Sequence, residues 1–393
     1  MGPSPVYLDH LASTPLDPRV KAAMARHENL YGNPHTTSHL AGIEAARAVE
    51  AARRQVARAI GGDARRVVFT SGATEANNLA LFGVARAAST RRRIITVRTE
   101  HSSVLEPVQA LGQEGFEVEQ LPVQADGLVD LDAVERAVDE RTLLVSVMHV
   151  NNETGTIQPV PAIAAICRRV GAFLHSDCAQ SLGRLSLDIR QHGADLLTLS
   201  AHKCYGPKGI GALYVGSRVR KHIKPITLGG GQEGGLRPGT LPVPLCIGFG
   251  EACRAAVVDV HGDAARMAGQ AGELLDAIFK AFPDAQLNGS HRDRVPGAFN
   301  VCFPWGSGDE LLNVFEGIQV SSGSACASTI SEPSPVLMAH GLSPVEAGRS
   351  LRFCVGRFTT DKDIRIAGEV IRGAARRRVI SPLSGCGLSA RAG

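Results

Sequence analysis

Leu197-Thr-Leu-Ser-Ala-His-Lys-Cys-Tyr-Gly-Pro-Lys208 begins as an apolar strand pattern and ends in a glycine–proline turn, so Ser200, His202 and Lys203 arrive where the strand stops. Parallel sheets gather their ligands at such carboxyl ends, where a lysine can reach a bound carbonyl. Upstream, Phe173-Leu-His-Ser repeats the pattern and delivers Asp177 to another strand end, with Gln180 one turn beyond. An acid there can hold a pyridinium nitrogen protonated, and Gln180 can donate to a ring phenolate oxygen. Taken singly, Asp177 reads as well as a helix N-cap, and Lys203 as a solvated charge.

Outward from this pair, short apolar runs alternate with helical patterns: Val67–Phe69, Arg93–Val97, Leu143–Val147, Phe173–His175, Leu196–Leu199 and Gly211–Val215, with helices predicted over Gly42–Ile60 and Leu131–Val138. That alternation predicts an α/β fold with a mostly parallel sheet covered on both faces. The Gly/Pro-rich stretch Leu228–Thr240 predicts a loop, followed by a helix over Cys246–Val258. From about residue 260 the order changes to a helix (Ala264–Phe282), short strands (Phe299–Phe303, Gln319-Val320, Leu351–Phe353) and a last helix (Lys362–Arg378). The expected division is a large domain over 15–258 and a smaller α+β domain from 1–14 and 259–393, which carries the cysteine loop at about 321–335. The polar tail after Pro382 is expected to fray.

The chain's 393 residues exceed what one core usually serves, and a net charge of +4 with 44% hydrophobic residues implies neither a nucleic-acid nor a membrane partner. No signal-peptide pattern and no long apolar run is read in it, so a cytoplasmic protein is expected. Nine cysteines without a CxxC pair suggest reduced thiols and no metal site. Cys167, Cys246, Cys253, Cys302 and Cys354 fit buried packing, whereas Cys326 lies in Ser321-Ser-Gly-Ser-Ala-Cys-Ala-Ser-Thr329, a run of small polar residues that predicts an exposed, reactive thiol.

Phe69-Thr-Ser-Gly-Ala-Thr-Glu-Ala-Asn78 reads as strand, glycine turn and helix start, a cup for phosphate with Thr74 and the backbone of Ala73 at its mouth. His101 follows another strand and can lie against a planar ring, and Asn151-Asn152 follows a third. Alone, each reads equally as loop chemistry.

Together these segments resemble the cysteine desulfurases, the class V aminotransferase-like branch of fold-type I pyridoxal phosphate enzymes, of the housekeeping and nitrogen-fixation type. The resemblance runs from about Tyr7 to Phe358 and includes Tyr7-Leu-Asp-His-Leu-Ala-Ser-Thr-Pro15, Gly32-Asn-Pro34, Gly229-Gly-Gly-Gln-Glu233, Arg237-Pro-Gly-Thr-Leu-Pro242 and Arg352-Phe-Cys-Val-Gly-Arg-Phe358. It implies pyridoxal 5′-phosphate as cofactor, with Lys203 forming its Schiff base, Asp177 at its ring nitrogen, Gln180 at its phenolate oxygen and His101 stacked on the ring. It further implies a phosphate held by Ala73, Thr74, Ser200, His202 and Thr240 of a second subunit, hence a homodimer. Asn152 and Arg352 would bind the substrate carboxylate. The implied reaction converts L-cysteine to L-alanine and leaves a persulfide on Cys326 for an acceptor protein, with iron–sulfur assembly one such route and His101 carrying protons.

The sequence departs from the pattern at His10-Leu11, at Cys178 and Cys204, at Pro238, and in a tail that lacks the aromatic and charged residues of the scaffold-binding enzymes. Cys386 in that tail reads as a spectator. Two other readings fit part of the pattern: a selenocysteine lyase or another class V enzyme, and an inactive cofactor-binding subunit.

Overall fold

Seven strands form the sheet that carries the site. The computed structural model describes residues 5–323 and 333–380, with side chains to residue 376. After β1 (Val6–Tyr7), the strands β2 (Val67–Thr70), β3 (Arg93–Val97), β4 (Glu117–Leu121), β5 (Thr142–Ser146), β6 (Phe173–Asp177), β7 (Leu196–Ser200) and β8 (Gly211–Val215) follow along the chain. The sheet order is β2-β8-β7-β6-β5-β3-β4, and every pair is parallel except the two that involve β8. β2, β5, β7 and β8 are buried along their whole length, as strands covered by helices on both faces must be. The edge strand β4, Glu-Val-Glu-Gln-Leu, was not expected from sequence; its exposed charged residues suit an edge and hide the apolar signal.

The expected helices at 246–258 and 264–282 are one helix, Val243–Ala281, of 39 residues and about 58 Å. Gly262 lies within it facing open space. Gly269 and Gly272 are exposed in the same way, and at ~1 kcal/mol each such glycines weaken the helix less than the packing of its buried face stabilises it. The expected domain boundary at 258 therefore falls inside a continuous element.

Its first half packs on the large core with helices Pro18–Arg26 and Leu40–Ala59, and its second half on helix Asp361–Ile380. This second core also takes β9 (Gln286–Asn288), β10 (Ala298–Cys302), β11 (Ile318–Gln319) and β12 (Ser350–Cys354), with sheet order β12-β10-β9 antiparallel and β1 paired in parallel with β11. Phe299 stacks on Phe353 at 5.1 Å, and Val6 and Leu8 from the N-terminal stretch are buried with them.

The glycine-rich segment is tied down by charge. Glu233, at φ 52°, receives Nη1 and Nη2 of Arg53 at 2.7 Å each, and the backbone N–H of Phe69 at 2.6 Å. The Glu233 side chain is 1% exposed and that of Arg53 11%, so the pair locks this segment to β2 just before the glycine turn. Glu233→Gln removes the buried counter-ion of Arg53, leaving it only the exposed Glu50 at 2.9 Å, and is expected to lower unfolding free energy by about 3 kcal/mol in urea titrations. A loss under about 0.5 kcal/mol would show that the pair is solvated like a surface bridge.

Candidate active site

A cavity of about 540 Å³ opens at the carboxyl ends of β5, β6 and β7 and is lined by Leu11, Ala12, residues 71–75, His101, Asn152, Asp177, Gln180, Ser200, His202, Lys203 and Arg352 among others. Strand pairing explains the convergence: β6 and β7 run side by side in parallel, with Asp177 opposite Thr198, so Asp177 and Lys203 leave neighbouring strands at one edge. Arg352 comes from β12 in the second core.

One end of the cavity is a field of donors. Helix Ala73–Ala87 starts at Gly72 with no side-chain cap, leaving its first N–H groups and positive dipole end toward the cavity mouth. Gly211 on β8 makes this possible, since a Cβ there would lie 2.8 Å from the Gly72 backbone. Thr74 and the buried Ser200 Oγ, which has no partner among the described residues, sit at the same end. His202 meets Ser13 Oγ through Nδ1 at 3.2 Å, and burial, with Lys203 and Lys208 nearby, lowers its pKa to about 4. Thr240 is exposed and does not line this cavity; Arg237, three residues before it, pairs with Glu75 at 2.9 Å.

At the other end the Asp177 carboxylate accepts from Ala179 N–H at 2.9 Å and from Asn77 Nδ2 at 2.7 Å. Asn77 Nδ2 also reaches Ser103 Oγ at 2.8 Å, and Ser103 Oγ lies 2.8 Å from His101 Nδ1. The backbone N–H of Ser103 donates to that same Nδ1, so the neutral ring carries its proton on Nε2. Burial lowers the His101 pKa against the pull of Asp177, which keeps the ring neutral. Asn77 and Ser103 escaped the sequence reading: Asn77 follows the glycine turn as one more polar helix residue, and only the fold sets it beside Asp177.

Lys203 Nζ donates to Leu11 O at 2.6 Å and Ala12 O at 2.8 Å. Burial, then Arg352 and Arg184, bring its pKa down to about 8, within reach of the free amine near neutral pH. Gln180 Nε2 donates to Leu11 O at 2.9 Å. Arg352 is held by Asp9 Oδ1 through Nε at 3.2 Å and Nη2 at 2.7 Å, and by Asn152 O through Nη1 at 2.8 Å. One N–H remains on each terminal nitrogen, the pair that meets a carboxylate bidentately. Asp9 is thus a site residue that the sequence reading quoted without a role.

The other departures resolve differently. Leu11 meets the site through its backbone, whereas the buried His10 ring packs edge-on to Tyr7 at 4.8 Å and lines a separate hollow with Tyr7 and Phe358. Cys178 and Cys204 are buried, as are Cys167, Cys246, Cys253, Cys302 and Cys354. Cys326 and Cys386 lie outside the described residues.

The donor set fits a phosphorylated pyridine aldehyde. A phosphate cup, an acid and a lysine line one cavity, and Ser200 Oγ, Gln180 Oε1 and Asn152 Oδ1 are buried there without partners among the described residues. Residues 6–366 match the aminotransferase class-V family. The human cysteine desulfurase is 44% identical over 96% of this chain and 84% of its own. A solved NifS-like protein superposes with a TM-score of 0.88 at 33% identity, covering 96% of this chain and all of that one. SspA, solved in complex with cysteine, superposes with a TM-score of 0.80 at 35% identity over 90% of this chain and 99% of its own.

Ligand-free protein should condense with a small aldehyde at Lys203 at a rate that rises through pH about 8, read by mass spectrometry after borohydride trapping. Arg184→Met removes a nearby cation, stabilises the ammonium form and should move that midpoint upward. A midpoint that stays put or falls would show that Arg184 does not act on Lys203.

Proposed function

The chain belongs to the aminotransferase class-V family, among its cysteine desulfurases, and on that premise we propose that it takes sulfur from L-cysteine and releases L-alanine. The observation that carries the reading is the meeting of Lys203 and Asp177 from adjacent strands with Arg352 from the second core in one cavity. When bound, pyridoxal 5′-phosphate supplies an aldehyde for amines and a protonated ring that withdraws electrons from the substrate's α-carbon. Ala73, Thr74, Ser200 and His202 would hold its phosphate, Lys203 its aldehyde carbon, Asp177 its ring nitrogen, Gln180 its phenolate oxygen and His101 its ring face.

The chain's own residues do the rest. Arg352, its outer edge fixed by Asp9, turns its two remaining N–H groups to the substrate carboxylate, with Asn152 beside it. Lys203, partly deprotonated near neutral pH, takes the proton from the substrate α-carbon. His101, held neutral with its proton on Nε2, relays protons between substrate and product atoms. Cys326, as thiolate, attacks the substrate sulfur: an S–S bond forms, the Cβ–S bond breaks, and its electron pair stays with the carbon skeleton that leaves as alanine after protonation. The persulfide on Cys326 then passes its outer sulfur to an acceptor protein, of which an iron–sulfur scaffold is one kind.

We also propose a homodimer in which Thr240 serves the partner's phosphate site, a reading supported by its exposure on a segment tied by Arg237 to Glu75. A cytoplasmic setting is supported by the seven unpaired cysteines among the described residues, since a reducing compartment maintains free thiols.

Incubation with L-cysteine and a reductant should yield sulfide and alanine together from the wild type. Cys326→Ala should keep the yellow cofactor absorbance and lose both products by at least 100-fold. Alanine production that survives this substitution would remove Cys326 as sulfur acceptor, and a protein that never binds pyridoxal phosphate would end the reading.

A further inference from the structure

Directly behind Asp177, on the side away from the cavity, lies a group of side chains that the reaction does not use. Cys178 follows β6, His149 lies three residues beyond β5, and His192 ends the short helix Ile189–His192, stopped by Gly193 at φ 80°. The fold brings them together. Cys178 Sγ lies 3.6 Å from His192 Nε2, and one ligand atom from each of the three residues falls within 4.8 Å of the others. The His149 and His192 rings meet edge to face at 4.7 Å.

Cys178 is 0% and His192 5% exposed, whereas His149 is half-buried, so the thiol and the His192 ring have little access to water. Protein groups satisfy them poorly. His149 Nδ1 and His192 Nδ1 are both buried without a hydrogen-bond partner among the described residues. A neutral imidazole offers one ring nitrogen's lone pair to a metal, and an unperturbed ring is largely neutral at physiological pH. The Ser181 hydroxyl lies beside the Cys178 thiol. A buried thiol facing a single imidazole is ordinary packing; a thiol with two neutral imidazoles from three separate elements is the donor set of a borderline-soft cation.

We propose that Cys178, His149 and His192 form a zinc site. Zn–S near 2.3 Å and Zn–N near 2.0–2.1 Å place tetrahedral ligand atoms about 3.3–3.6 Å apart. The Cys178–His192 pair already has that spacing, and the His149 nitrogen, within 4.8 Å of both, has about an ångström to close. Zinc enters by exchanging with the thiol proton: the S–H bond breaks, the Zn–S bond forms, one proton leaves, and no electron is transferred. Because His149 N–H donates to Asp177 O at 2.9 Å, a metal joining Cys178 to His149 closes a ring around the backbone of Asp177. Zinc would therefore act as a brace behind the acid.

The test is the metal content of the full-length protein made in zinc-supplemented medium and exchanged into metal-free buffer. The expected result is one zinc per chain in the wild type and in Cys326→Ser, falling at least 10-fold in Cys178→Ala and in His192→Leu. Protein made with cobalt(II) in place of zinc should show a near-ultraviolet thiolate-to-cobalt band and tetrahedral bands in the red, present in Cys326→Ser and absent from Cys178→Ala. Wild type with well under one metal per chain under both regimes overturns the proposal, and this outcome does not depend on any variant folding. A cobalt band that survives Cys178→Ala, or disappears with Cys326→Ser, also overturns it by moving the metal to another thiol.

Discussion

Three cations, the buried Arg184 and Arg352 and the half-buried Lys203, stand close enough for the two arginines to lower the lysine's pKa, and the segment Asp9–Thr14 is what makes their company tolerable. Asp9 takes Arg352, His10 O takes Arg184 at 2.8 Å, Leu11 O and Ala12 O take Lys203, and Thr14 binds the backbone of His202 and Tyr205. One carboxylate and a row of carbonyl oxygens replace the water these charges gave up. Without such acceptors each buried cation would cost several kcal/mol, and the carboxyl edge of the sheet could not hold them together. The reactive lysine is therefore set by a length of irregular chain as much as by the strand that precedes it.

A second chain of contacts organises the acid. Asp177, Asn77, Ser103 and His101 are linked in sequence by hydrogen bonds, so the carboxylate's orientation and the imidazole's tautomer share one asparagine. Such networks hold orientation by mutual satisfaction, each donor already committed to a neighbour. The metal site proposed behind Asp177 acts on the same residue through its backbone, so its carboxylate and its main chain are held from opposite sides.

The buried strands were legible because a parallel sheet writes itself as short apolar runs, and Lys203, Asp177 and His101 were legible because strand ends are where such sheets keep their chemistry. The edge strand β4 was hidden by its charges, and the single helix Val243–Ala281 by the change of element order expected at about residue 260. Asn77, Ser103, Asp9 and Arg184 act across long sequence separations, through contacts that no local pattern encodes. The trio Cys178, His149 and His192 follows the same rule: its spacing matches no metal motif, since three separate segments and not one supply it.

β1 pairs with β11, and Cys354 N–H donates to Leu8 O at 2.6 Å, so the strand that leads into the segment Asp9–Thr14, a strap across the site, is seated by residues more than three hundred positions later. On the ribosome, the sheet from β2 to β8 can close and bring Asp177 and Lys203 side by side while the seat for the strap is still unmade. A nascent chain or a prematurely stopped fragment thus contains the lysine, the acid and the phosphate cup, yet lacks the two strands that seat the amino-terminal end of the acceptor segment and Arg352, which pairs with Asp9. The site is thus assembled from both ends of the polypeptide, with Asp9 and Arg352 meeting across 343 positions of sequence.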